Sequence, residues 1–206
     1  NHQHKNETVN KLDNVRYVVN KYPLGRSKNR NELAYASCNN YLLFLDGDDK
    51  IDHTYFSMSV SIITKFCDLD YIYCDLEEFD ATNNYRSFGE LILNDVLLHS
   101  VTHVSGIISK ELWFKSGGFD KDFLNGWEDW DFWLQVSSHT DFLFVPKPSA
   151  IYRIHQSSGV HAQVRFVDTS YQIIYRKWRD LWSADQMSQI MARNWEHKDQ
   201  RSRHLR

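Results

Sequence analysis

The most constraining feature of the chain is an unbroken apolar run, Tyr41-Leu42-Leu43-Phe44-Leu45, that stops abruptly at Asp46-Gly47-Asp48-Asp49. A short run of this kind predicts a strand covered on both faces, as in a parallel sheet with helices on either side. In open α/β sheets, ligands bind beyond the carboxyl ends of the strands, which is where these carboxylates stand. Carboxylates this crowded repel one another, and a cation or heavy solvation is needed to hold them. Hard oxygen donors suit Mg2+ or Mn2+, which bridge one or two carboxylates to substrate phosphates. Gly47 lets the chain turn sharply beside a ligand. Taken alone, the cluster reads equally well as a solvated acidic turn. A calcium loop does not fit, because Lys50 and Ile51 stand where Asp or Asn and then Gly are required. A Gly-Asp-Asp polymerase turn needs a following strand and a basic template channel, whereas the residues after this turn read as a helix and no basic surplus exists.

The flanking segments alternate. Val15–Val19 predicts a short strand, Asn29–Ser37 a helix, and Tyr55–Phe66 a helix whose Phe56, Val60, Ile63 and Phe66 share a face. Asp70–Asp75 predicts a strand, Glu90–Leu98 a helix, and Val104–Ser109 a short strand or turn. Glu111–Ser116 and Trp127–Ser137 read as helices, and Phe142–Val145 and Ile151–Ile154 as strands separated by Pro146 and Pro148. Beyond Gly159 the pattern is helical to about Trp195. Strand-helix alternation defines an α/β sheet. The 206 residues suffice for one domain, or one domain with an appendage.

The net charge of -3 argues against a nucleic-acid binder. Only the C-terminal tail is basic, with Arg193, Lys198, Arg201, Arg203 and Arg206; it reads as a solvated terminus, or as a peripheral contact with an anionic membrane surface. The cysteines, Cys38, Cys67 and Cys74, are odd in number and have no metal spacing, which points to a reducing, cytoplasmic setting. No apolar run approaches the length of a membrane span.

Trp127-Glu128-Asp129-Trp130-Asp131-Phe132-Trp133-Leu134 is the densest unusual segment. Trp130, Trp133 and Leu134 fall at helical spacing and can anchor a helix in a core. Glu128 and Asp129 then lie in its first turn, where the helix dipole favours ionised carboxylates by about 0.3–1 kcal/mol. A rigidly held carboxylate is a candidate general base; acidic capping of an ordinary amphipathic helix is the plain alternative. Further on, Arg153 and His155 lie two residues apart on a short strand and share a face. The imidazole can complete a metal site, and the arginine can hold a phosphate.

In this order, the segments resemble the family 2 inverting glycosyltransferases with the GT-A fold. Gly25-x-Ser27-x-x-Arg30-Asn31 is similar to the family's segment before the metal strand, and Phe44-Leu45-Asp46-Gly47-Asp48-Asp49 to its Asp-x-Asp motif. Ser105-Gly106 and Gly117-Gly118-Phe119-Asp120 resemble its acceptor-side loops. Glu128-Asp129-Trp130-Asp131 resembles its acidic motif, and Tyr152-Arg153-x-His155 its late histidine segment.

The resemblance implies a GT-A (Rossmann-like) α/β fold with a mixed, mainly parallel sheet flanked by helices over residues 1–160, and a helical extension over 161–206. The family's opening strand-helix-strand unit, roughly 40 to 70 residues, does not precede Val15, so the resemblance implies an N-terminally truncated domain. It also implies Asp129 as the catalytic base with Glu128 in reserve. Arg30, Asp46, Asp48 and Arg153 would contact the nucleotide sugar; Asp46, Asp48 and His155 would hold Mn2+ or Mg2+. The donor would be a UDP-sugar, and the acceptor a sugar, a lipid-linked sugar or another hydroxyl compound. The pathway would be cell-surface polysaccharide or glycoconjugate synthesis, on the cytoplasmic face of the membrane or in the cytoplasm. No Gln-x-x-Arg-Trp segment of the processive synthases occurs, so a single sugar would be added with inversion. A non-catalytic carbohydrate-binding remnant of such an enzyme and a metal-dependent nucleotidyltransferase are the alternatives.

Overall fold

The structure is a computed structural model that describes residues 14–66, 69–91, 93–98, 103–124, 126–155, 167–190 and 192, the side chains of residues 93, 94, 146–149, 167 and 168 excepted. Helix α1 (Arg26–Ala36) leads to β1 (Tyr41–Leu43), β2 (Lys50–Ile51), α2 (His53–Lys65), β3 (Tyr71–Asp80) and β4 (Tyr85–Arg86). Helix α3 (Leu93–Leu98), β5 (Ile107–Ser109), α4 (Lys110–Lys115), α5 (Glu128–Ser137) and β6 (Leu143–Ile154) follow. Helix α6 (Val167–Trp178) runs into a 3-10 turn, Arg179–Leu181.

The strands form one sheet in the order β1-β5-β3-β6-β2, with β4 also pairing with β3. The sheet is mixed, as expected, but its balance differs from the mainly parallel expectation. Among the described residues only β3 and β6 run parallel; the β1–β5, β3–β5, β3–β4 and β2–β6 pairs are antiparallel. An apolar run reports burial and not the direction of its neighbours, so β1 could not announce its antiparallel partner. The two strand segments expected around Pro146 and Pro148 join into β6. The prolines lack ladder donors, and the register with β3 shifts at Cys74–Asp75 and Asp75–Leu76, where Asp75 faces Pro148.

Strand β3 shows why the sheet sits at the centre. Tyr71 and Tyr73 point into one apolar cluster, with Leu42, Ile108, Trp113 and the α5 residues Trp130 and Trp133. Ile72 and Cys74 point into a second cluster, with Tyr55, Ile107 and Val145. The period of two therefore sends alternate residues to helices on opposite faces. Helix α2 covers the second face with Tyr55, Met58, Ile62 and Ile63. This rotates its buried stripe away from the expected one: Phe56 is 61% and Val60 47% exposed, and Phe66 is also exposed. Val15–Val19, expected as a strand, is exposed and pairs with no strand among the described residues. Gly106 has no freedom to change, because a Cβ there would lie 2.2 Å from the Tyr71 hydroxyl.

Helix α6 packs back on α5 through charge as well as rings. Tyr171 meets Trp127 edge-on at 4.2 Å. Lys177 Nζ lies 2.8 Å from both Asp120 Oδ2 and Asp131 Oδ2, and Trp178 Nε1 donates to Asp131 Oδ1 at 2.7 Å. Asp131 is fully buried. The boundary expected at residue 160 and the basic tail from Arg193 lie outside the described residues.

Burial pulls the Lys177 ammonium down, but hydrogen bonds to Asp120 and Asp131 outweigh it and hold its pKa above the ordinary 10.5. A raised lysine contributes stability that is complete below its unfolded pKa and is lost as the pH rises through the folded one. Lys177→Met should therefore cost about 1–3 kcal/mol near neutrality, because the buried Asp131 keeps its hydrogen bonds from Gln135 and Trp178 but loses its cation. Melting curves of the two proteins should converge above pH 10.5. A gap that is constant from pH 7 upward would show that the ammonium does not supply this stability.

Candidate active site

Three segments meet at the carboxyl end of β1. The turn after the strand closes when the Asp49 amide donates to the Asp46 carbonyl at 3.1 Å. Arg30, on α1 and only 8% exposed, donates from Nη2 to Asp46 Oδ1 at 2.7 Å and from Nη1 to Glu128 Oε1 at 3.0 Å. One guanidinium thus joins the acidic turn to the first turn of α5. Arg26 Nε lies 3.3 Å from the same Glu128 oxygen. Glu128 is buried, and its Oε2 has no hydrogen-bond partner among the described residues. Burial, with Asp129 alongside, raises the Glu128 carboxyl above the usual range, although Arg26 and Arg30 pull it down.

Asp129 stands one residue further on and is partly exposed. Its Oδ1 accepts from the Trp130 amide at 2.8 Å. The turn carrying both carboxylates begins at Trp127, a tryptophan held at φ 71°. A bulky residue in that region is strained, and such strain concentrates at functional sites. Trp127 is held there by rings on both sides, Tyr171 and Trp130.

Strand β6 supplies the other wall. His155 Nε2 lies 3.2 Å from Asp48 Oδ2. The Arg153 amide donates to Asp49 Oδ1 at 2.9 Å, while its guanidinium turns away to Asp80, with Nε 2.7 Å from Oδ2. The Arg153 guanidinium, named above for the nucleotide sugar, pairs here with Asp80 at the end of the neighbouring strand. Tyr152 packs nearby; burial and the charges of Asp49, Asp46 and Asp48 push its phenol to about 12, so it keeps its proton at neutral pH.

Among the described residues, no three His, Cys, Asp or Glu side chains converge into a metal-binding set. Asp48 and His155 are adjacent and partly open to solvent, a carboxylate-imidazole pair of the kind that Mn2+ accepts when phosphate and water complete its shell. Asp46 is drawn instead to Arg30. A cleft of about 920 Å3 opens beside this site, lined by Arg26, Asn29, Arg30, Leu45, Asp46 and Gly47 among others.

Of the acceptor-side loops suggested by the sequence, the one at residues 117–120 packs on α1, with the Phe119 ring beneath Arg30, and Ser105-Gly106 leads into β5. Asn31 grips residue 119 at both ends, its Nδ2 donating to the Phe119 carbonyl at 2.7 Å and its Oδ1 accepting from the Phe119 amide at 2.9 Å. Gly118 precedes that grip at φ +72°, and a Cβ there would lie 2.7 Å from Trp113 and 2.9 Å from Asn31. Sequence reasoning missed the roles of Arg26, Asn31 and His103. Asn31 and Arg26 flank Arg30 and could have been found by following α1; His103 gave no signal beyond its closeness to Ser105-Gly106.

The mixed sheet flanked by helices, with acidic residues at the end of β1, has a GT-A-like α/β fold. No protein-family profile and no curated protein sequence matches the chain. Solved structures do. Staphylococcus aureus TarS 1–349 in complex with UDP-GlcNAc aligns with a TM-score of 0.56 and 17% identity over 66% of this chain and 41% of that one. Its complex with UDP gives 0.53 and 14%, over 71% and 45%; TarS 1–349 without a named ligand gives 0.54 and 13%, over 80% and 57%. The chain thus spans only about half the length of these structures. Among the described residues no helix is long and apolar enough to cross a membrane.

Proposed function

We propose that this chain is the sugar-transferring part of a nucleotide-sugar-dependent glycosyltransferase, a single-addition, inverting enzyme of the family 2 type working in cell-surface polysaccharide or glycoconjugate synthesis. The observation that carries the reading is the Arg30 bridge, which joins the acidic turn to the first turn of α5 beside the cleft that Arg30 lines. The resemblance of the fold to TarS structures solved with UDP-GlcNAc and UDP supports a UDP-sugar as donor.

Arg30 and Arg26 line the cleft and attract the diphosphate. Asp46, Asp48 and His155 would hold Mn2+ or Mg2+. The cation, when bound, neutralises the charge of the leaving diphosphate. Asp129 takes the proton of the acceptor hydroxyl. The acceptor oxygen then bonds to the anomeric carbon as the bond to the diphosphate breaks on the opposite face, so configuration inverts, through an oxocarbenium-like transition state as in glycoside hydrolysis. Glu128, buried against two arginines, positions this turn. Residues 1–160 form the transferase domain and 161–206 its helical extension.

Calorimetry of UDP with the intact protein should give binding only with Mn2+ present, and a donor screen should give transfer from a UDP-sugar. Pyrophosphate release from nucleoside triphosphates would instead favour a nucleotidyltransferase, and absence of UDP binding would leave a carbohydrate-binding remnant.

A further inference from the structure

The three aspartates of the acidic turn are not equivalent. The side chains of Asp46 and Asp48 are 36% and 46% exposed, whereas that of Asp49 is 0% exposed. Asp49 points inward, and both of its oxygens face protein: Oδ1 accepts the Arg153 amide at 2.9 Å, and Oδ2, which accepts no hydrogen bond among the described residues, lies within ion-pair distance of His103 Nε2 at 3.3 Å. The other ring nitrogen of His103, Nδ1, lies 2.8 Å from Ser105 Oγ. The ring also packs against Tyr152, 5.1 Å between centroids. With a carboxylate on one side and a hydroxyl on the other, the consistent tautomer carries its proton on Nε2 and accepts from Ser105 at Nδ1.

We propose that His103 is a positioning residue: it clamps Asp49 and thereby fixes the turn that carries Asp46 and Asp48. Ser105 and Gly106 belong to the loop that leads into β5, so the clamp couples that loop to the acidic turn. The geometry transmits any movement. Asp49 closes the turn through its amide to Asp46, and β6 touches the turn twice, with the Arg153 amide on Asp49 and His155 on Asp48. A slip of Asp49 away from His103 therefore shifts Asp48 against His155. Partners that orient a ligating carboxylate typically change metal affinity or activity by about 10–100-fold when removed. For its catalytic consequence the proposal rests on the transferase reading; for its structural consequence it does not.

The test compares His103→Ala, His103→Gln and His103→Asn. The glutamine amide nitrogen reaches the place of Nε2 and can donate to Asp49; the asparagine amide reaches only the place of Nδ1. Hydrogen exchange of the amides of residues 46–49 should rise about tenfold in the Ala and Asn proteins. It should stay near wild type in the Gln protein, with α5 unchanged in all three. The Mn2+ concentration for half-maximal transfer should rise about 10–100-fold in Ala and Asn. The Gln protein should restore it, and kcat at saturating Mn2+ should be little altered. Unchanged exchange of the turn in the Asn and Ala proteins, or failure of Gln to restore it, would overturn the proposal. Should Ala not fold, the Gln-Asn comparison decides alone. Exchange that follows the expected pattern in proteins that neither bind UDP nor transfer sugar would support the clamp and refute the transferase reading.

Discussion

Asp129→Asn should lower sugar transfer by about 10²–10⁴-fold, the usual contribution of a positioned base, while leaving Mn2+-dependent UDP binding at its wild-type affinity. The substitution keeps shape: the Trp130 amide that donates to Asp129 Oδ1 at 2.8 Å still finds a carbonyl oxygen, so the first turn of α5 has no reason to move. What is lost is the capacity to take a proton. Glu128→Gln is the informative control. Glu128 is buried and paired with Arg26 and Arg30, so its replacement acts on the placement of the turn and on stability. The pair of measurements is kcat under saturating donor and the calorimetric affinity for UDP. An Asp129→Asn protein with wild-type kcat would remove Asp129 from the mechanism.

Arg30→Met should be the most destabilising change at the site, by about 3–5 kcal/mol, the usual cost of leaving a buried charge without its partner. Arg30 is buried and satisfies Asp46 and Glu128 at once. Without it, Glu128 keeps only Arg26, which is more exposed and further away. At about 2–4 °C per kcal/mol for a chain of this size, the melting temperature should fall by roughly 10 °C. Arg30→Met combined with Glu128→Gln should recover much of the loss, because neutralising both partners avoids an unpaired buried charge. Denaturant unfolding of the two variants checks both statements. Equal stability of Arg30→Met and wild type would mean that the ion pairs of Arg30 contribute nothing net.

Much of the architecture was legible in local pattern. The strand before the acidic turn, the Trp-rich helix and the break at Gly117-Gly118 follow from residue type and spacing, but the full burial expected of Tyr41–Leu45 does not hold: β1 lies at the sheet edge and Leu45 is exposed. Strand direction was not legible, because an apolar run carries no information about its neighbour. The face of α2 was misread for a related reason: Phe56 and Val60 are as hydrophobic as the residues that are buried, and only the position of the sheet selects Tyr55, Met58 and Ile62. At the site, Arg30, Asp46, Asp48, Asp129 and His155 could be singled out from motif spacing. The distribution of their partners could not. The pairing of Arg153 with Asp80, 73 positions away, leaves no trace in local spacing. Glu128 and Asp129 are adjacent in sequence, and only the fold separates an enclosed ion pair from an accessible carboxylate.

Arg30 and Asn31 are consecutive on α1, yet one faces the acidic turn and α5 while the other grips the loop at Phe119. For evolution and for engineering this makes α1 a poor place to experiment, since an adjustment that suits one side of the helix disturbs the other. Diversity in what the protein accepts is more easily accumulated in segments that α1 does not hold, such as the stretch between β4 and α3, where change can be tried without disturbing the grip on either side.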